Sequence, residues 1–255
     1  MNIRVLGCYG SEMHSHKTTC FQLSQRLVLD AGAIVSGMSI EEMMEIDDIV
    51  ISHSHLDHIK DLAMLADIMA GKRRRPIRVH GTAATLRALK RHFFNQIIWP
   101  DFTVIPSTSR PVIELVRIKP MKVMDFGQIT LLPVPVNHSV DTMGFIIREK
   151  GGGALAVSSD TGTTDRIWEE MNNTPELKAA FVELSFPEEM VKIARLSGHL
   201  TPRRFMKEIS KIADETLPIY AYHFKPGFLP ALHKQIPKLE RTNLFMLDSG
   251  DVLKV

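Results

Sequence analysis

The segment His53-Ser54-His55-Leu56-Asp57-His58 puts three histidines and an aspartate within six residues. Independent draws at this composition would produce H-x-H-x-D-H in roughly one chain in a thousand. Imidazole nitrogen and carboxylate oxygen are the donors that Zn²⁺ takes, and that Mn²⁺ or Fe also accept. The hexapeptide follows the apolar run DIVIS, which reads as a strand. Alternate residues of an extended segment point the same way, so His53 and His55 share a side, while Asp57 and His58 fall where a helix begins. One strand-to-helix turn can therefore offer two pairs of ligands to two adjacent ions. The competing explanation is a solvated histidine-rich turn or a helix cap. Four such groups without a ligand would repel when protonated and gain little otherwise.

Two ions need more donors, and three candidates follow apolar strands. His138 ends LLPVPVNH, Asp160 ends ALAVSSD before the turn Thr161-Gly162, and His223 ends PIYAYH. A histidine after a strand is by itself more often structural, and Asp160 alone could be a turn residue or an N-cap. Taken together, His53, His55, Asp57, His58, His138, Asp160 and His223 make seven ligands. That is enough for two divalent ions around one bridging carboxylate, and Asp57 is counted among the catalytic residues as well. Hydroxide between two ions is a nucleophile at neutral pH, because coordination lowers the pKa of water from 15.7 to ~7, and ions ~3.5–4 Å apart suit a phosphodiester. The leaving alkoxide needs a proton. From spacing alone His199, oriented and kept protonated by Glu183, stands no higher as that donor than its bland reading. The bland readings are a loop histidine capping the next helix and a solvated glutamate near a strand end.

These residues must be positioned by an alternation of strands and helices. NIRVLG, TTCFQLS, RLVLD, DIVIS, IRVH and VIELVRI read as strands in the first half, and QITLLPVPV, MGFIIRE, GALAVSS, AAFVELS, PIYAY, TNLFML and DVLKV in the second. Ser39 and Glu42 have capping-box spacing, which predicts a short helix over IEEMMEID. Ile59, Leu62, Ala63, Leu65, Ala66 and Ile68 recur at helical spacing and predict one helix from the metal motif to Gly71. Further helices are expected from about Thr82 to Phe94, near RIWEEMN, over EEMVKIARL and over PRRFMKEISKIADE. Runs of strands with interspersed helices suggest two mixed sheets packed face to face with helices outside. No Pro/Gly/Ser linker divides the halves, so residues 1–255 are expected to form a single domain.

Of the 255 residues, 44% are hydrophobic and 24% charged, which excludes disorder, collagen and coiled coil as descriptions of the whole. No apolar stretch reaches the ~20 residues of a membrane span. The opening MNIRVLGCYGSEMH has no long apolar run, so no signal peptide is expected. Two cysteines, Cys8 and Cys20, are too few for a disulfide framework to organise the fold, and a cytoplasmic location is the default expectation. A net charge of +2 is too small to argue for nucleic acid.

The sequence resembles the metallo-β-lactamase superfamily of hydrolases, through HSHLDH, the later His138, the SSDTG turn and the last His223. Asp30, in Val28-Leu29-Asp30-Ala31-Gly32, matches an early aspartate that supports the metal loop without binding metal. Within the superfamily the resemblance is strongest to class II 3′,5′-cyclic-nucleotide phosphodiesterases. It is carried by HSHLDHIKDL, by Asn95-Gln96-Ile97-Ile98-Trp99-Pro100-Asp101, by Ser159-Asp160-Thr161-Gly162 running to Arg166-Ile167-Trp168-Glu169, and by Val182-Glu183-Leu184-Ser185-Phe186-Pro187 with Ser197-Gly198-His199-Leu200-Thr201-Pro202. Asp61 departs from that group, which usually has a small residue there. The resemblance implies an α/β (α+β) fold, a four-layer αββα sandwich with the site at one edge. It implies a binuclear metal-dependent phosphodiesterase that hydrolyses cyclic nucleotides such as cyclic AMP, as small-molecule substrates, to nucleoside monophosphates. It also implies a homodimer.

Transfer-RNA 3′-processing endonucleases are a related branch with the same seven ligands and a Glu/His pair resembling Glu183 and His199. Against RNA processing stand the balanced charge and the lack of a long Gly- and basic-rich insertion, since polyanion binding rests on clustered cations. Lactone or β-lactam hydrolysis needs no separate Glu/His acid pair, and a non-catalytic metal-binding protein would not need the full ligand set. Weaker candidates remain. His14 and His16 could rim the site, and Lys225 could touch phosphate. His92, Phe93, Phe94, Trp99 and Phe102 could flank a base or simply pack a core. Lys72-Arg73-Arg74-Arg75 reads as a solvated helix end favoured by the dipole. His80 and His233 have no claim.

Overall fold

The computed structural model describes every residue, Met1–Val255. Its core is two seven-stranded sheets. The first runs, in spatial order, Val252–Lys254, Asn2–Gly7, Cys20–Gln22, Leu27–Leu29, Asp48–Val50, Ile77–Gly81 and Ile113–Arg117. The second runs Leu244–Met246, Ile219–Tyr222, Leu177–Glu183, Ala154–Val157, Thr142–Glu149, Ile129–Val136 and Met124–Phe126. In each sheet three neighbouring pairings are antiparallel and three are parallel. A small hairpin, Pro106–Ser107 with Arg110–Pro111, stands outside both.

Strand periodicity decides the layers. Leu27 and Leu29 pack into a cluster of 41 buried residues shared with Phe145, Ile147, Leu155 and Phe181 of the second sheet. Val28 between them faces the other way, into a cluster of 23 with Ile34, Met43, Leu62 and Leu65 from helices. Val50 and its neighbours Ile49 and Ile51 divide in the same manner. Ile167, Trp168, Phe205 and Ile209 bring helices Arg166–Asn172 and Pro202–Ile209 against the second sheet. The order is helix, sheet, sheet, helix, the four-layer αββα sandwich expected from the sequence.

Several helix boundaries follow from identifiable bonds. Helix Ile40–Glu45 starts on the anticipated capping box: the Glu42 N–H donates to Ser39 Oγ at 3.2 Å, and the Ser39 N–H donates to Glu42 Oε2 at 2.8 Å. The single helix expected after the metal motif is instead two, Leu56–Ile59 and Asp61–Met69. The Asp61 N–H is diverted to the Ala31 carbonyl at 3.0 Å, which interrupts the helical ladder. The Asp61 carboxylate turns away from the metal motif and accepts the Val35 N–H at 2.8 Å and Lys60 Nζ at 2.8 Å, so it caps the neighbouring helix Ile34–Gly37. The helix expected to reach Glu215 ends at Ile209, because the Asn172 side chain takes the Lys211 carbonyl and the Ala213 N–H at 2.9 and 2.8 Å. A helical stretch over Pro226–Leu239, which includes Pro226, Pro230 and Pro237, is not among the helices expected from the sequence. Each sits in the first turn of a short helix, where its missing N–H costs nothing.

Candidate metal centre

The strands Asp48–Val50, Ile129–Val136, Ala154–Val157, Leu177–Glu183 and Ile219–Tyr222 all deliver their carboxyl ends to one edge of the sandwich. His53, His138, Asp160, Glu183 and His223 stand at or just beyond those ends. The fold thus brings together residues separated by up to 170 positions, as is usual for ligand sites in sheets of this kind.

Two groups of four donors form there, beside a third made of Glu183, His199 and His223. One is His53, His55, His138 and Asp160, and the other is Asp57, His58, Asp160 and His223; in each the ligand atoms lie within 4.8 Å of one another. Asp160 belongs to both. Its Oδ2 is 3.2 Å from His223 Nε2, 3.4 Å from His58 Nε2, 3.6 Å from His53 Nε2 and 3.9 Å from His138 Nε2. Asp57 Oδ2 is 3.3 Å from His223 Nε2, and His55 Nδ1 is 3.2 Å from His138 Nε2. His53, His58, Asp160 and His223 are fully or almost fully buried.

The far nitrogen of most of these imidazoles is fixed by a partner. His58 Nδ1 donates to Asp30 Oδ2 at 2.7 Å, which aims Nε2 at Asp160. Asp30 is itself held by the Ser52 N–H at 2.8 Å and the Ser52 hydroxyl at 2.9 Å, and it has a left-handed backbone with φ of 59°. His138 Nδ1 donates to the Gly198 carbonyl at 2.9 Å. Gly198 has φ of 70°, and a Cβ there would stand 3.0 Å from His138 Nδ1. His223 Nδ1 lies 3.0 Å from Ser185 Oγ, and Ser52 Oγ is 3.1 Å from His53 Nδ1.

The site's own bonding fits a divalent cation. His53 Nε2 and Asp160 Oδ1 are buried without any hydrogen-bond partner. A buried polar atom left in that state costs about 1–3 kcal/mol, and a cation among these donors would satisfy both. Burial, reinforced by neighbouring imidazoles, holds His53 well below the ordinary histidine pKa, and burial likewise lowers His55, His138 and His223. Neutral imidazole is the metal-binding form. His58 goes the other way: burial opposes its charge, but Asp160, Asp30 and Asp57 outweigh it and raise its pKa well above the ordinary value. Burial also works against the Asp160 charge, yet His223 and His58 hold the carboxyl well below the usual carboxylate range.

Beside the two groups lies a second pair. Glu183 is wholly buried and accepts the N–H groups of Thr161 at 3.3 Å and Leu200 at 3.1 Å, and the Ser185 hydroxyl at 2.8 Å. His199 Nδ1 faces Glu183 Oε1 at 3.2 Å, and the His199 ring stacks on His223 with centroids 5.3 Å apart. Burial disfavours the His199 charge, but Glu183 overcomes it and raises the pKa. Ser185 ties the pair to the first cluster, since its hydroxyl touches Glu183, His199 Nδ1 and His223 Nδ1. Neither Ser185 nor Ser52 was singled out from the sequence. The available signal was the spacing Glu183-Leu184-Ser185, because residues two apart in an extended segment point the same way.

The weaker sequence candidates divide. Lys225 Nζ lies 3.7 Å from Asp57 Oδ2 and also donates to the Gly10 carbonyl, so it stands at the cluster. His16 packs edge-on against Tyr9 with centroids 4.5 Å apart, and His14 is exposed. Phe94 and Phe102 are buried in the core beneath the helices of the first sheet, with Phe93 and Trp99 packed against it, which is the core reading of that aromatic stretch. Cys8 and Cys20 are both free and buried. No helix is long and apolar enough to cross a membrane.

Two mixed sheets between helices, with a histidine–aspartate cluster at their carboxyl edge, define a protein of the metallo-β-lactamase fold. The pattern of the beta-lactamase superfamily domain matches residues 26–223, and the chain belongs to that family. A probable 3′,5′-cyclic-nucleotide phosphodiesterase of Yersinia pestis is 25% identical over 205 residues, covering 72% of this chain and 58% of the relative. A 3′,5′-cyclic-nucleotide phosphodiesterase of Aliivibrio fischeri is 25% identical over 241 residues, covering 75% of this chain and 68% of the relative. The chain thus spans less than two thirds of the Yersinia pestis relative's length. The crystal structure of unliganded yeast PDE1 superposes with a TM-score of 0.81 at 20% identity, covering 100% of this chain and 99% of that one. The relatives' names agree with the resemblance read from the sequence motifs.

Proposed function

We propose that residues 1–255 form one hydrolase domain that cleaves the phosphodiester of 3′,5′-cyclic nucleotides, such as cyclic AMP, to give nucleoside monophosphates. On this reading His53, His55, His138 and Asp160 hold one divalent ion, and Asp57, His58, His223 and Asp160 hold a second, with Zn²⁺ the favoured metal and Mn²⁺ or Fe suited to the same donors. Bound ions would supply an acidified water as nucleophile and neutralise charge on the phosphate. The single observation that carries the reading is the sharing of Asp160 between two complete donor groups beside a buried Glu183–His199 pair.

The chain's own residues then have distinct tasks. Glu183 holds a proton on His199 through Nδ1, and four donors keep that carboxylate from turning elsewhere. His199 Nε2 has no protein partner and is free to give its proton to the departing alkoxide. Lys225, beside Asp57, is placed to meet a negatively charged phosphate oxygen. Asp30 and Ser52 keep His58 and His53 aimed inward. A homodimer in the cytoplasm completes the proposal, and light scattering giving twice the chain mass checks the dimer.

The test is an assay of the purified, metal-loaded protein against cyclic AMP, bis(4-nitrophenyl) phosphate, precursor transfer RNA and nitrocefin. Turnover of cyclic AMP to the monophosphate is expected. Preferred cleavage of precursor transfer RNA would replace this reading with RNA processing. Strong turnover of nitrocefin alone would end it.

A further inference from the structure

At the other end of the first sheet is a cleft of about 280 Å³ that the proposed reaction does not use. Its wall is made by Lys72, Arg73, Arg74 and Arg75, which follow helix Asp61–Met69, and by Arg110 on the small hairpin. Five cations line it and no carboxylate does. Arg75-Pro76 leads directly into the amino end of strand Ile77–Gly81, whereas the histidine cluster lies past the carboxyl end of its parallel neighbour Asp48–Val50. The cleft and the cluster are therefore on opposite edges of the sandwich.

The cations are not equivalent. Arg73 is spent on the protein: it pairs with Asp47 at 2.7 Å and donates to the carbonyls of Met44 and Ile46. This fixes the helix end against the loop that follows helix Ile40–Glu45. Lys72 Nζ donates to the Ile68 carbonyl at 2.8 Å. The side chains of Arg74, Arg75 and Arg110 have no ion pair and no hydrogen bond to the protein, and all three residues are exposed. A solvated helix end accounts for Lys72 through Arg75 but not for Arg110, which arrives from a separate hairpin to face them. Like charges facing across a narrow cleft are unfavourable without an anion between them, and a cleft lined by one sign of charge focuses its field. No aromatic side chain lines it on which a base could stack, so the ligand its cations suit is a chain of phosphate groups.

We propose that Arg74, Arg75 and Arg110 form a binding site for a linear phosphate chain, distinct from the metal cluster. Guanidinium groups suit this ligand because each can meet two phosphate oxygens at once. The chain could be free polyphosphate or the phosphate tail of a nucleotide, with the base left outside the cleft.

Calorimetric titration of the metal-loaded protein at low salt with inorganic triphosphate, and separately with ATP, tests this. One triphosphate should bind per chain, and more weakly as salt is raised. The triple variant Arg74→Gln/Arg75→Gln/Arg110→Gln should bind at least about tenfold more weakly, with an unchanged melting temperature because these side chains hold nothing in the fold. Arg110→Lys should lose less than Arg110→Gln, since it keeps the charge. Asp160→Asn should bind triphosphate as the unaltered chain does. Equal ATP and triphosphate affinity identifies the phosphate chain as the recognised part in either source, whereas tighter ATP binding lost with Arg110→Gln assigns the site to the nucleotide's tail. Unchanged binding in the triple variant overturns the proposal. So does loss of binding in Asp160→Asn, which would put triphosphate at the metal cluster. A single-stranded RNA oligonucleotide bound more tightly than triphosphate through the same arginines would replace a phosphate-chain site with a nucleic-acid surface.

Discussion

The two sheets contribute to the site in opposite ways. The first supplies one contiguous loop, in which His53, His55, Asp57 and His58 all follow a single strand. The second supplies one residue at a time, His138, Asp160, Glu183 and His223, each from the end of a different strand. The first contribution is set by local geometry and survives as a pattern in the sequence. The second exists only because these strands run the same way to one edge: Val157 lies beside Phe181 and Phe181 beside Tyr220 in parallel register, and two antiparallel pairings through Thr142–Glu149 return Ile129–Val136 to that direction. A site divided in this way is coupled to the packing of the two sheets, and Asp160 is the point where the halves meet.

Removing that point should have the largest effect. Asp160→Ala is expected to lose ions from both donor groups and to lower cyclic-nucleotide turnover by roughly 10⁴-fold or more; metal analysis finding two ions per chain in the variant would break the division drawn here. His199→Ala, on the second sheet's side, should keep the ions and slow cyclic-nucleotide turnover by roughly 10²–10⁴-fold. With bis(4-nitrophenyl) phosphate the loss should shrink, because 4-nitrophenolate leaves without a proton. Equal losses on the two substrates would remove His199 from the donor role.

On the first sheet's side, Asp30→Asn should weaken metal affinity by roughly 10–100-fold, as expected when the partner orienting a ligand is lost. Competition with a graded chelator measures it, and unaltered affinity would show that the loop holds His58 without Asp30. The smallest effect is expected farthest from the cluster. Ser39→Ala removes half of a capping box on the outer helix Ile40–Glu45 and should cost about 1 kcal/mol of stability. Thermal melting reads it, and bound metal should not change; a variant that also lost metal would mean that the outer helices take part in shaping the centre.

Much of this is legible in the amino-acid sequence. The H-x-H-x-D-H spacing, the capping box at Ser39 and Glu42, and the apolar strand RLVLD are short-range properties. They depend on residues a few positions apart and on the two backbone periodicities. Other local readings failed where a distant group intervened. The helix after His55 is cut because the Ala31 carbonyl takes the Asp61 N–H, and the helix after Pro202 stops where the Asn172 amide takes the next backbone groups. Asp61 looked like a departure within the metal motif, yet its carboxylate serves the helix at Val35. The stretch His92, Phe93, Phe94, Trp99 and Phe102 has two open readings in the sequence; Phe93, Phe94, Trp99 and Phe102 join the core, while His92 stays exposed.

The amino-acid order alone therefore determined the donor types, the loop that carries four of them, and the layers that result when alternating strands bury both faces. Only the tertiary structure decided that His138, Asp160 and His223 converge on that loop, that Glu183 and His199 lie beside it with Ser185 between them, and that Arg110 faces the basic helix end. The reason is physical: a side chain's chemistry and its local turn are fixed by its neighbours in sequence, whereas convergence depends on strand register and sheet packing summed over the whole core.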